Sequence, residues 1–294
     1  MTNDHDTMVR HLQKKSRELL SREHLPGDLV SLVVAVADRQ LAALPDAAFQ
    51  EPEPGELANE HQRGRGMPLL PREHFRPDRD QAATLLRDIL VLSRKVPGPL
   101  GEASKAFEKD HLPDLDLGEA ITAYLASDEP YFSRWGEAVS DAPRLVSFLV
   151  QAAVRPSLMA QGKHLARLHD GSKPWRHGHC PVCGSLPFMS GLRGKEGKRH
   201  CTCSFCLTEY RVPRLACPFC GETDHKKLSF YDSPDEPGYR IDACLSCRNY
   251  IKTTDFRNLD KTSIPSLDDL ESLHMDILAR QRSFQRPTLS IWGF

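Results

Sequence analysis

The sequence predicts an α+β multidomain protein in which an N-terminal all-α domain is followed by two tandem four-cysteine modules and a C-terminal helix. Before about residue 170, apolar residues recur at helical spacing, and helical spacing returns after Pro265. All nine cysteines lie in between, from Cys180 to Cys247. We expect a helical domain at 1–172, a first module at 173–213, a second module at 214–257, and the C-terminal helix and tail at 258–294.

The helices of the N-terminal domain are predicted from apolar spacing and from start and stop signals. Asp28 can cap a helix that is apolar enough to be buried. A second helix is expected at 80–95, where the Pro-Gly-Pro sequence that starts at Pro97 ends it. Further helices are expected at 117–126, 131–139 and 142–154, and Pro156 is expected to start, or to kink the chain into, a helix that reaches about Leu168.

A proline-rich loop at 45–78 interrupts this helical domain. Six prolines and three glycines lie between Pro45 and Pro77, a composition typical of an extended or mobile loop. The apolar part of the loop, residues 67–71, could dock on the protein itself or bind a partner. We expect it to dock on the protein's own core.

Eight of the nine cysteines form four Cys-x-x-Cys pairs, and the first and third pairs share the pattern Cys-Pro-x-Cys-Gly. Two residues between thiolates allow a tight turn, or knuckle, that points both sulfurs at one ion. The proline restricts the turn, and the glycine tolerates the positive φ with which it closes. Two facing knuckles supply a sulfur tetrahedron, as in structural zinc sites or rubredoxin-like iron sites. The candidate ligands are Cys180, Cys183, Cys203, Cys206, Cys217, Cys220, Cys244 and Cys247.

The spacing favours sequential pairing of the knuckles, the first with the second and the third with the fourth. The internal repeat supports this, since each half has a Cys-Pro-x-Cys-Gly knuckle, a plainer knuckle and a β-like stretch, at 208–212 and at 249–254. A cross-braced arrangement remains an alternative, because spacing does not fix connectivity. Cys201 stands outside the pattern and is interpreted as a small buried residue beside the first site, with a spare ligand or a redox-sensitive thiol as alternatives.

Disulfide and dithiol chemistry are less favoured interpretations of these cysteines. The N-terminus has no basic and apolar signal-peptide pattern, and no window approaches the ~18 apolar residues of a membrane helix. We therefore expect a cytoplasmic protein, whose thiols stay reduced. A thioredoxin-like motif precedes a helix in a βαβ unit, and no such unit surrounds the four pairs.

Composition and missing motifs narrow the function classes. The formal net charge of −1 offers no overall attraction to nucleic acid or to an anionic membrane. The sequence has no P-loop, no dinucleotide-binding glycine motif, no HExxH and no GxSxG. We therefore expect a protein that is not an enzyme and that binds no nucleic acid.

The order of these parts resembles the formate dehydrogenase accessory protein family, FdhE. The most specific match is Trp175 followed by the Cys180-Pro-Val-Cys-Gly-Ser-Leu-Pro187 sequence and the other three cysteine pairs. Weaker matches lie at 66–70, 155–158 and 268–273. Four ordered cysteine pairs behind a helical domain are a specific combination.

The resemblance implies a cytoplasmic maturation factor that binds the catalytic subunit of respiratory formate dehydrogenase before export. It also implies that the eight paired cysteines bind two iron ions in a rubredoxin-like manner, without turnover by the protein itself. Two alternatives remain: a zinc-ribbon interaction protein in which the metal only folds the modules, and a redox factor that uses its iron or its thiols. The sequence leaves the native metal and the oligomeric state open.

Overall fold

A computed structural model describes residues 2–22, 25–234, 236–290 and 292. These residues form two compact units. The first comprises the chain up to Pro52 together with Arg72–Gln161, and the second comprises Glu53–Pro71 together with Gly162–Trp292. No helix among the described residues is both long enough and apolar enough to cross a membrane.

The N-terminal region is helical, as predicted. In chain order, its helices are α1 (Thr2–Leu20), α2 (Gly27–Ala43), α3 (Glu60–Gly64), α4 (Arg79–Ser93), α5 (Pro99–Asp110), α6 (Leu117–Ala126), α7 (Glu129–Ala138) and α8 (Leu145–Ala166). Helix α3 and the end of α8 belong to the second unit.

Two helix starts differ from the prediction. Helix α2 begins before Asp28, so this residue lies in the first turn, where its charge favours the helix dipole, and does not act as the N-cap. Helix α5 lies outside the predicted helices. Its first residue, Pro99, belongs to the stop signal of the preceding helix, and proline also fits the first position of a helix because that N–H has no intrahelical partner.

Pro156 neither starts nor ends a helix, because it lies inside the continuous helix α8. Proline has no N–H, so the carbonyl of Ala152, four residues earlier, lacks its usual donor. The buried side chain of Gln40, on α2, supplies that donor through Nε2, 2.8 Å from the Ala152 oxygen. The long helix is therefore compatible with its proline because a side chain of another helix replaces the missing backbone hydrogen bond.

The cysteine-rich region forms one six-stranded sheet with strand order β3-β2-β1-β6-β5-β4. The strands are β1 (Pro187–Arg193), β2 (Lys198–Cys203), β3 (Glu209–Val212), β4 (Leu228–Asp232), β5 (Tyr239–Cys244) and β6 (Tyr250–Thr254). Neighbouring strands are antiparallel except β1 and β6, which pair in parallel with Ser190 opposite Thr253. The three-stranded repeats therefore follow each other head to tail, in the same orientation, within one sheet.

The helices that follow the sheet, α9 (Pro265–Glu271) and α10 (Leu273–Gln281), confirm the predicted return to helix. Part of their packing is apolar: Met275 and Ala279 of α10 form a buried cluster with Ile241, Ala243 and Tyr250 of the sheet.

A buried ionic network also joins these helices to the sheet. Lys252 of β6 is 1% exposed, and its Nζ lies 2.8 Å from Asp269 Oδ1 and 2.7 Å from Asp276 Oδ2. Burial raises the pKa of Asp269, but Lys252 and Arg286 outweigh this effect and hold the pKa below its ordinary value. Removing Lys252 would leave buried carboxylates with less compensating charge, which makes this lysine a structural requirement of the second unit.

We predict that Gln40→Met destabilises the helical unit by about 1–3 kcal/mol, because the buried Ala152 carbonyl loses its donor. The same change in a Pro156→Ala background should cost less, because the restored N–H of residue 156 can donate to that carbonyl. Urea unfolding followed by circular dichroism measures the four variants of this cycle. Equal costs in the two backgrounds would mean that Gln40 does not replace the proline's missing hydrogen bond.

Candidate metal centre

The first and third knuckles have the same backbone hydrogen bonds. The N–H of Gly184 donates to the carbonyl of Cys180 over 2.9 Å, and the N–H of Gly221 donates to the carbonyl of Cys217 over 3.0 Å. The two glycines have φ angles of 81° and 75°, as the Cys-Pro-x-Cys-Gly pattern predicts. Both knuckles therefore close with a left-handed glycine.

The second and fourth knuckles close in the same way without glycine. Leu207 and Arg248 have φ angles of 56° and 61°, a region that side chains with a Cβ seldom adopt. The N–H of Arg248 donates to the carbonyl of Cys244 over 2.9 Å, so the fourth turn is hydrogen-bonded like the first and third. These two left-handed residues were not foreseen from the sequence, since neither has the side chain that usually marks such a turn.

The four knuckles bring the eight paired cysteines together in two groups, in which all sulfur atoms lie within 4.8 Å of one another. We call Cys180, Cys183, Cys203 and Cys206 cluster 1, and Cys217, Cys220, Cys244 and Cys247 cluster 2. The grouping is sequential, as the repeat favours, and not cross-braced. Both clusters lie at the same end of the sheet, because both repeats run in the same direction and their knuckles occupy equivalent positions.

The sulfur separations fit a tetrahedral metal site. The Cys180–Cys206 and Cys183–Cys203 sulfurs lie 3.8 and 3.3 Å apart, and the two corresponding separations in cluster 2 are both 3.7 Å. A tetrahedron with metal–sulfur bonds of about 2.3 Å has sulfur–sulfur edges of about 3.8 Å. Either cluster can therefore hold zinc or iron with little rearrangement, and the sulfur geometry does not distinguish the two metals.

The thiols of a cluster have unequal pKa values. Burial raises the pKa of Cys180 and Cys203 well above that of an ordinary thiol. Burial acts in the same direction on Cys183, but hydrogen bonds from the other three thiols outweigh it and lower the pKa of Cys183 well below its ordinary value. Because a metal requires thiolates, binding at cluster 1 must displace protons from the thiols whose pKa is raised.

Cys201 belongs to neither cluster. It lies on β2 opposite Ser190 and Tyr210, and it is completely buried. Burial raises the pKa of its thiol to about 12. These observations agree with the interpretation of Cys201 as a small buried residue beside the first site.

Part of the proline-rich loop covers the first knuckle. The backbone N–H groups of Leu69 and Leu70 donate to the carbonyls of Pro181 and Val182, each over 2.9 Å, and both leucines are buried. His179 binds the same segment through Nε2, 2.8 Å from the Gly66 oxygen. The expectation that the apolar part of the loop docks on the protein is therefore confirmed, and the docking site is the first cysteine knuckle.

An ion pair connects the two repeats next to the clusters. Arg199 of β2 pairs with Asp242 of β5, and its Nη1 donates to the Ala216 carbonyl over 3.2 Å. Both charged side chains are largely buried. Ala216 directly precedes Cys217, so Arg199 also holds the chain that enters the third knuckle.

We predict that Gly184→Ala destabilises the protein more than the equivalent change Gly221→Ala. Both variants place a Cβ on a left-handed residue, at roughly 1–2 kcal/mol. At Gly184 the Cβ would also lie 3.1 Å from Pro68, whereas no heavy atom lies within 4 Å at Gly221. Urea unfolding of the two metal-loaded variants measures the difference, and equal losses would argue against the contact between Pro68 and the knuckle.

Comparison with known proteins gives matches to one family. A family model described as "FdhE, central domain" matches residues 179–214, which include all of cluster 1. The curated relatives include FdhE homologs from Aquifex aeolicus, 32% identical over 41% of this chain and 43% of that protein, and from Rhizobium meliloti, 28% identical over 66% and 64%. These two alignments thus span less than two thirds of the relatives' own length.

Other matches extend along nearly the whole chain. An FdhE homolog from Pseudomonas aeruginosa is 27% identical over 94% of this chain and 90% of that protein. The crystal structure of the FdhE protein from the same organism aligns with a TM-score of 0.67 and 23% identity over 96% of this chain and 95% of that one, which shows a shared fold. The match of the central domain, the relatives and the shared fold agree with the resemblance to the FdhE family seen in the sequence.

Proposed function

We propose that this chain is an iron-binding cytoplasmic accessory protein for the maturation of respiratory formate dehydrogenase. In this proposal it binds the catalytic subunit of that enzyme before export, acting as a chaperone or adaptor without turnover of its own. The family supports the accessory function, and the observation that carries the proposal is the pair of four-cysteine clusters built into one sheet.

In this proposal cluster 1 and cluster 2 each hold one iron ion, and their eight cysteines are the ligands. The donor set is four sulfurs, which suits soft or borderline metals, and the sulfur separations suit a tetrahedral ion. An iron ion held in this way could supply one-electron chemistry between its ferrous and ferric states. The knuckle backbones would fix the sulfurs, and their N–H groups would face the negative charge: the N–H of Phe205 lies 3.3 Å from the Cys203 sulfur.

The metal sites also have a structural role in the proposal. Each three-stranded repeat has one knuckle before its first strand and one between its second and third strands, so metal binding joins the start of the repeat to its last turn. Without the metal, four thiols would lie side by side in a cluster, held only by weak hydrogen bonds. We therefore expect much of the metal-binding free energy to appear as folding free energy of the second unit.

A zinc-ribbon interaction protein is the second candidate function, and one observation favours it. All four cysteines of cluster 1 are at most 2% exposed, which suits a closed structural site better than a reactive one. In that case the metal would only maintain the surface that a partner recognises.

Metal content and absorption of anaerobically purified protein test the identity of the metal. We predict about two iron ions per chain and the charge-transfer bands of tetrahedral iron–thiolate sites. The comparison must use iron-replete cells, because four-cysteine sites accept zinc readily during overexpression. A colourless protein with two zinc ions from such cells would favour the zinc-ribbon candidate.

Capture of the catalytic subunit of formate dehydrogenase tests the partner. We predict that Cys180→Ser with Cys183→Ser, and separately Cys217→Ser with Cys220→Ser, weaken capture. Cys201→Ser is the matched control, because it removes a buried thiol of the same region that lies outside both clusters. Capture that survives both double changes would mean that the partner does not depend on the cysteine modules, and absence of capture by the unchanged protein would contradict the proposed partner.

A further inference from the structure

The two clusters have the same knuckles but different surroundings. Each cluster combines a Cys-Pro-x-Cys-Gly knuckle with a plainer one, and the strand order around them is equivalent. A difference in the accessibility of their sulfurs must therefore come from the segments packed around them and not from the knuckles themselves.

Cluster 1 is enclosed on both knuckles. The 66–70 segment lies over the first knuckle, with Pro68 3.1 Å from the position of a Cβ on Gly184. The end of α8 that belongs to the second unit lies against the second knuckle: the position of a Cβ on Gly162 is 3.0 Å from Cys206 Cβ and 3.1 Å from Thr208 Oγ1. A reagent can reach these sulfurs only if one of the enclosing segments moves.

Cluster 2 is less covered among the residues that the structure describes, although Gly178 packs against Pro218 of its first knuckle. Cys220 is exposed and Cys247 is half-buried, whereas Cys217 and Cys244 are buried like the four cysteines of cluster 1. No heavy atom lies within 4 Å of a Cβ placed on Gly221, the counterpart of Gly184. The flanking Leu215 and Leu245 are also exposed, so solvent has access from both sides of the third and fourth knuckles.

We propose that the two clusters differ in function: cluster 1 holds its metal permanently as part of the fold, and cluster 2 is the exchangeable site. The inference rests on the proposed function in so far as both clusters hold a metal. At cluster 2 a donor atom of a small chelator can replace the Cys220 sulfur as a metal ligand without displacement of the chain, and that sulfur leaves the metal as a free thiolate. At cluster 1 the same substitution requires the 66–70 segment or the end of α8 to open first.

The kinetics of metal release test this inference in the full-length protein loaded with two zinc ions. With the chelator 4-(2-pyridylazo)resorcinol in excess, we expect two phases of equal amplitude, the second about tenfold or more slower because it requires local opening. Alkylation with N-ethylmaleimide after the fast phase, followed by peptide mass spectrometry, should label Cys217, Cys220, Cys244 and Cys247 first.

Two matched comparisons assign the phases. Cys220→Ser should change the fast phase alone, and the equivalent Cys183→Ser should change the slow phase alone. Leu69→Ala and Pro68→Ala, which weaken the cover without touching a cysteine, should accelerate the slow phase severalfold and leave the fast phase unchanged.

The outcomes separate this inference from the proposed function. Release of both ions at one rate, or earlier labelling of the cluster 1 cysteines, would overturn the division between the clusters while leaving two metal sites. Failure of the zinc-loaded protein to retain two ions before the chelator is added would contradict the proposed metal binding, and the division with it.

Discussion

The parallel pairing of β1 with β6 is the contact on which the arrangement of the cysteine region depends. It joins two three-stranded repeats into one sheet, so that both pairs of knuckles lie at the same end. The side chains of Ser190 and Thr253 bond to each other across this pair over 2.6 Å, and the Arg199–Asp242 ion pair adds a second connection between the repeats. Removing one partner of such a buried pair typically costs about 3–5 kcal/mol, because the other charge is left buried without compensation. The repeats are therefore parts of one folding unit, although each has its own cluster.

The knuckles could be predicted because their chemistry is local. Two residues between cysteines, and a glycine after the second, determine the turn and its left-handed residue within five positions of the chain, as Gly184 and Gly221 show. Leu207 and Arg248 adopt the same conformation without the glycine that marks it in the other two knuckles. The pairing of β1 with β6 also lay beyond prediction, since edge strands of similar composition offer many possible partners and registers.

The docking site of the proline-rich loop could not be predicted from the sequence either. Its composition indicated an extended segment, and its leucines indicated burial, yet no pattern in the sequence pointed to the knuckle of Cys180 as the docking site. Pro156 is a comparable case. A proline usually ends a helix, and the side chain that makes the exception possible, Gln40, lies on another helix. In both cases a contact between distant parts of the chain outweighs the local preference.

The head-to-tail arrangement of the repeats leaves two complementary edges at the outer strands of the sheet. Because β1 and β4 are equivalent strands of their repeats, β4 presents outward the same kind of edge that β1 uses to pair with β6. The strand at the opposite edge, β3, is equivalent to β6. The outer edge of β3 therefore complements the outer edge of β4. An interface of this type does not close on itself, so repeated pairing of β4 with β3 of another copy would extend into a filament. The short length of both edge strands, and the exposed charges of Lys226 and Lys227 directly before β4, oppose such growth.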